Sequence, residues 1–115
     1  MGFDRLAEKM GACANPKRLE MLKLLSKEDM NQLEIVKKLK IAQSQASQHL
    51  KTLFLAGLVK KRSQGCEVWY SINRSAIDNI LVNFSELGHQ TEAAATAILK
   101  SAGHRAYQKS MGVNR

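Results

Sequence analysis

Gln43, Ser44, Gln45, Ser47 and Gln48 place five uncharged hydrogen-bonding side chains within the run AQSQASQHLKTL, residues 42–53. Each amide carries donors and an acceptor side by side, and each hydroxyl serves as either. Those groups suit the edges of nucleobases: glutamine pairs with adenine through two hydrogen bonds, and serine meets either polarity. That chemistry is recognition. Catalysis has thinner support, since the histidines are only His49, His89 and His104. No carboxylate pair, nucleophile–base spacing or phosphate-binding glycine loop accompanies them. The run also reads as a flexible linker or an ordinary polar surface helix, so the elements around it decide its role.

A helix starting near Gln43 puts Ala46, Leu50, Leu53 and Phe54 on one inward face by their spacing of four, seven and eight residues. Ser44, Gln45, Gln48 and Lys51 then lie away from that face, with Ser47 on its flank. Charge is the cheap way to solvate a helix, and this face lacks it near the helix start. Upstream, Asn31 and Glu34 have capping-box spacing, and Ile35, Val36 and Leu39 follow as an inward stripe. KIAQ interrupts that helix before the next begins. Two short helices joined by so brief a turn are a helix-turn-helix.

Earlier still, Phe3, Leu6 and Met10 mark a first amphipathic helix. ANPKRLEMLKLL, residues 14–25, supplies a second, with Asn15 as N-cap and Pro16 at the first helical position. Its apolar stripe is Leu19, Leu22 and Leu25 with Met21 beside them, and Ser26 to Asp29 is a polar break. Gly57 closes the glutamine-rich helix. VKKRSQGCEVWYSI then turns at Ser63-Gln64-Gly65 into an alternating arm from Cys66 to Ile72, which predicts a basic β-hairpin. Ser75 and Asp78 have capping-box spacing ahead of a helix carrying Ile77, Ile80, Leu81, Phe84 and Leu87. Gly88 interrupts, TEAAATAILKSAG predicts a last helix, and a basic, frayed tail runs over 104–115. The expected fold is mainly α with a small β-hairpin: five or six helices in a single domain, residues 1–103.

Bulk properties agree. The 115 residues suit one domain, and 44% hydrophobic residues with a single proline suit a folded chain. The longest apolar run, LFLAGLV, is far below the roughly 20 residues of a membrane span. The opening MGFDRLAEKM has no apolar signal region. Leu6 stands where a myristoylation signal needs Ser or Thr. A cytoplasmic protein without a membrane role is therefore expected. The net charge is +8, and no carboxylate lies between Glu34 and Glu67, where Lys37, Lys38, Lys40, Lys51, Lys60, Lys61 and Arg62 sit. A cation-only window points to a polyanion, nucleic acid foremost.

ANPKRLEMLKLL, QSQASQHLKTLFLAGLVKKR and VWYSI together resemble the ArsR/SmtB-type winged-helix transcriptional repressors over roughly residues 6–87. The resemblance implies a sequence-specific repressor that binds double-stranded DNA as a homodimer on a palindromic operator. Its dimerisation helices would be about 3–12 and 76–87, its recognition helix about 43–56 and its wing about 58–72. Gln43, Ser44, Gln45, Ser47, Gln48 and His49 would face the major groove, with Lys51 beside them. Lys60, Lys61, Arg62 and Gln64 would track the flanking phosphates. Periodicity leaves His49 open between packing on its neighbours and contact with phosphate or base. Family members usually place a serine where this chain has Ala42, so the usual N-cap is missing and Gln43 or Ser44 is expected to replace it.

Many members of that family sense metals. Here the positions matching a paired-cysteine site are Asn31 and Leu33, and those matching an Asp/His site fall near Arg74, Ala76, Leu87 and Gln90. Neither set is competent, so no metal or other cofactor is expected. A shifted site from Asp78, His89 and Glu92 is the remaining metal reading. Two cysteines are too few and too widely spaced for a disulfide framework. Cys13 reads as a buried, inert thiol or a redox sensor. Cys66, beside Lys60, Lys61 and Arg62, reads as a reactive thiol on the wing. No inducer is named by these residues. The alternative to a promoter-binding repressor is a winged-helix module for RNA or a protein partner.

Overall fold

Asn15, Asn31 and Asn73 each start a helix with their side chain. The computed structural model describes residues 3–88. Helix α1 (Asp4–Cys13) buries Leu6 and Ala12. Asn15 Oδ1 then accepts from the backbone N–H groups of Lys17 at 2.9 Å and Arg18 at 3.1 Å, starting α2 (Pro16–Lys27) with Pro16 in its first turn. Strand β1 is only Met30–Asn31. Asn31 also caps α3 (Gln32–Leu39): its side chain accepts from Glu34 N–H, and Glu34 Oε1 accepts from Asn31 N–H. Lys40, left-handed at φ 55°, ends that helix and opens the turn into α4 (Gln43–Leu55).

The end of α4 is a Schellman closure. Leu58 N–H donates to Leu53 C=O and Gly57 N–H to Phe54 C=O, both at 2.9 Å, with Gly57 at φ +81°. The chain reverses there and drops Leu58 and Val59 into the core at the foot of β2 (Val59–Gln64). A side chain at position 57 has room but the wrong backbone. Gly57→Ala is therefore expected to cost about 1–2 kcal/mol, read as a lowered urea midpoint; an unchanged midpoint would contradict that account.

Strand β2 pairs antiparallel with β3 (Glu67–Ile72) from Val59↔Ile72 to Gln64↔Glu67, leaving Gly65 and Cys66 as a two-residue turn. Gly65 at φ +65° followed by a residue without positive φ fits the II′ hairpin class. Strand β3 also pairs with β1, through Met30↔Tyr70 and Asn31↔Trp69, giving a three-stranded sheet in the order β1-β3-β2. Asn73 finishes the hairpin: its Nδ2 donates to Gly57 C=O at 2.8 Å, while Oδ1 accepts from Ser75 Oγ and Ala76 N–H. It thereby caps α5 (Arg74–Gly88). Arg74 Nη2 reaches the Ser26 carbonyl at the end of α2.

Met21, Leu22, Leu25, Met30, Ile35, Ala46, Leu50, Leu53, Leu58 and Val59 form the core of the unit that ends at Ala76. From Ile77 on, α5 belongs to a second unit, in which Val82, Phe84 and Leu87 are exposed.

The mainly α fold with a small hairpin is as expected, with five helices among the described residues. Several details differ. Leu19, assigned to the inward stripe of α2, is 53% exposed, because Met21, Leu22 and Leu25 already fill the face that packs. Phe54 is partly exposed and lies under a lysine instead of in the core. Met30–Asn31 pairs as a third strand where only a break was expected, since two residues carry no legible period. Cys66 lies in the turn, not in the second strand, and the cap of α5 is Asn73 rather than Ser75. The alanine-rich segment and the basic tail lie outside the described residues.

Candidate nucleic-acid interface

Helix α4 seats itself by Ala46, Leu50 and Leu53, all wholly buried. Gln43, Ser44, Gln45, Ser47, Gln48 and Lys51 are all exposed. The start of the helix corrects one expectation. Ala42 sits at the N-cap without a side chain that accepts, and neither Gln43 nor Ser44 replaces it. Instead Gln45 folds back, its Oε1 accepting from Ala42 N–H at 3.1 Å. Half of a capping box is thus kept, and Gln45 retains its amide Nε2 hydrogens for another partner. From α3, Gln32 Nε2 donates to Gln43 C=O at 3.3 Å, tying the two helices together. The Gln48 side chain has no hydrogen-bond partner among the described residues; the Gln48 backbone carbonyl accepts from Thr52 Oγ1.

The two flanks of that polar face are held by different elements. On one, Lys61 Nζ of β2 stands 4.3 Å from the centre of the Phe54 ring. On the other, half-buried His49 meets Arg18 of α2, Nη1 to Nδ1 at 3.2 Å, while Arg18 Nε donates to the Ala12 carbonyl at the end of α1. Burial, and then the Arg18 charge, push the His49 imidazole below its usual range. His49 therefore packs against Arg18 through Nδ1. The sequence does not mark Arg18 as a site residue, because it lies 31 residues from His49.

The hairpin exposes Lys60, Lys61, Arg62 and Gln64. Arg62, however, is engaged: its Nη1 lies 2.6 Å from Asp29 Oδ2, and its guanidinium lies 5.8 Å from the Trp69 ring centre. Trp69 Nε1 in turn donates to Glu67. Asp29, part of the polar break after α2, thus holds the middle of β2 through Arg62. Cys66 sits exposed at the turn, and the ladder sets Lys60, Lys61 and Arg62 opposite Ser71, Tyr70 and Trp69, away from that turn. The cations invoked to activate this thiol therefore lie farther down the strand. Cys13 is half-buried, and burial pushes its thiol up, with the Arg18 charge pulling partly back. A disulfide-exchange reagent is expected to consume Cys66 rapidly and Cys13 slowly, leaving only the slow phase in Cys66→Ser. Equal rates for the two thiols would contradict this.

Four of the residues matched above to metal-site positions have other surroundings. Asn31 spends its side chain on the α3 cap, Leu33 is exposed, Arg74 holds the Ser26 carbonyl and Ala76 is buried. Among the described residues no three His, Cys, Asp or Glu side chains gather as a metal site. His89, Gln90 and Glu92 lie outside those residues. No helix among them is long and apolar enough to cross a membrane.

The family described as "Bacterial regulatory protein, arsR family" matches residues 15–61, from the cap of α2 to the middle of β2. The nodulation protein NolR of Rhizobium meliloti is 38% identical over 85 residues, covering 73% of this chain and 70% of that protein. The chain belongs to the ArsR family. Another relative, the transcriptional repressor PagR of Bacillus anthracis, is 37% identical over 83 residues, covering 70% of this chain and 82% of that one. Among solved structures, NolR from Sinorhizobium fredii superposes with a TM-score of 0.62 at 36% identity, covering 73% of this chain and 84% of that chain. Membership makes this ArsR-family protein a DNA-binding transcriptional regulator and not an enzyme. The family match itself ends within β2, and the relatives extend the likeness to 83–85 residues.

Proposed function

We propose that the protein is a homodimeric repressor that reads a palindromic operator with the exposed face of α4. The observation that carries this reading is that face itself. Ser44, Gln45, Ser47 and Gln48 are exposed and uncharged on a helix whose opposite side is wholly buried. Glutamine and serine there meet base edges, while Lys51, Lys60 and Lys61 meet phosphates. Gln43, at the first turn, and Gln64, at the hairpin end, complete the contact surface. Arg62 has a separate role: held by Asp29, it fixes the hairpin and leaves phosphate contact to its lysine neighbours. On α5 the exposed Phe84 and Leu87 are apolar side chains that a second copy would cover, and on α1 so is the exposed Phe3.

The test is fluorescence anisotropy on a duplex from the region upstream of the protein's own gene, at two salt concentrations, beside an unrelated duplex of equal length. Tighter binding to the first duplex, weakening steeply with salt, is expected. Equal binding to both would overturn the operator reading and bring RNA or protein partners forward. Light scattering of the free protein should give twice the chain mass; a monomer at micromolar concentration would remove the dimer.

A further inference from the structure

The Arg18–His49 contact fixes more than a packing arrangement. A guanidinium carries only donors, so an Arg18 Nη1 lying 3.2 Å from His49 Nδ1 requires that ring nitrogen to be the acceptor. An imidazole accepting at Nδ1 is neutral and carries its proton on Nε2. Among the described residues Nε2 has no partner, and no unpartnered polar side-chain atom is buried, which leaves Nε2–H at the surface. The ring stands on the flank of α4, one position beyond Gln48 and on the side away from the Lys61–Phe54 contact. Arg18 is itself braced, with Nε 2.6 Å from the Ala12 carbonyl, so it cannot follow a moving ring without releasing α1. The low basicity of the ring agrees, with Arg18 the only charge acting on it among the described residues.

We propose that Arg18 is a positioning residue for DNA binding: it locks His49 as the Nε2–H tautomer, so that the ring offers a neutral donor to an acceptor oxygen or nitrogen on the DNA. This rests on the reading of α4 as the DNA-contacting helix. The device differs from the wing lysines in that it adds a directed hydrogen bond and no charge. Its contribution should therefore leave the salt dependence of binding unchanged. It also joins the recognition face to the end of α1 through one side chain.

The experiment has two arms on the full chain. In the first, long-range proton–nitrogen NMR of the free protein at pH 7.5 reads the tautomer of each histidine, with His49 assigned by its loss in His49→Gln. The expected spectrum shows His49 protonated at Nε2 alone; a proton on Nδ1, or on both nitrogens, would overturn the proposal. Arg18→Met should return the ring to a tautomer mixture, and an unaltered Nε2–H signature there would also overturn it. Where Arg18→Met fails to fold, the wild-type tautomer alone carries this arm.

In the second arm, anisotropy compares variants on the duplex that the wild type prefers. Failure of the wild type to prefer any duplex would remove the underlying reading and leave the tautomer result standing. His49→Phe and Arg18→Met are each expected to weaken binding about 5-fold, and the pair together little more than either alone. His49→Gln, which keeps an outward N–H donor, should bind within about 2-fold of wild type. Salt slopes should match the wild type; a shallower slope in His49→Phe would mean a charged contact and overturn the proposal. An equal loss on an unrelated duplex assigns the acceptor to a phosphate, and a loss confined to the preferred duplex assigns it to a base edge. Wild-type affinity in His49→Phe would overturn it.

Discussion

Gln48→Ala is expected to lose about 10- to 100-fold in affinity for the preferred duplex while binding unrelated DNA almost as before. The size follows from a bidentate amide–base contact, worth about 1–3 kcal/mol of discrimination, where 1.4 kcal/mol is tenfold. Gln48 is the position to change because its side chain is exposed and has no hydrogen-bond partner among the described residues. Gln45 is less clean, since its Oε1 is already committed to Ala42 N–H and truncation also weakens the helix start. Anisotropy titrations of both variants on both duplexes separate the effects. A Gln48→Ala protein that loses affinity equally on both duplexes would mean that the residue does not read sequence. An unchanged one would place the readout elsewhere on the helix.

Leu50→Ala carries the largest expected cost to the fold, about 2–5 kcal/mol. Leu50 is fully buried, between Ala46 and Leu53 on the face that seats α4. Small domains hold only about 5–15 kcal/mol in total, so the loss removes a large share of the margin. The neighbouring Phe54 provides the contrast. It is larger but 38% exposed and touches Lys61, so Phe54→Ala should cost only about 1–2 kcal/mol. Urea melts of the two variants test the ranking. Equal midpoints, or a more damaging Phe54→Ala, would mean that the helix is seated differently.

What was legible in the sequence was whatever repeats or punctuates. Asn15 with Pro16, Asn31 with Glu34, and Gly57 all mark ends, and each does so in the structure by the hydrogen bonds their types suggest. The α4 stripe was legible for the same reason, through Ala46, Leu50 and Leu53. Phe54 and Leu19 were misplaced because helical spacing reports a face but not how wide the neighbouring helix is. Strand β1 was hidden because its signal is its partner, Tyr70 and Trp69, some 40 residues away. The same limit concealed Arg18 with His49 and Asp29 with Arg62: each pair is distant in sequence, and neither side chain announces its mate. Cys66 shows the converse: it is near Lys60–Arg62 in sequence, while the antiparallel ladder sets those residues away from its turn.

The most direct test of the account is a methylation-protection footprint on the preferred duplex. Dimethyl sulfate modifies guanine N7 in the major groove and adenine N3 in the minor groove, so a single experiment reports which groove each element enters. With one α4 from each protomer in successive major grooves, two patches of protected guanine N7 should appear, about one helical turn or a multiple apart and symmetric about their centre. Gln48→Ala should weaken both patches together. Protection confined to adenine N3, or a single patch without a symmetric mate, would contradict the reading of α4 as a recognition helix in a dimer.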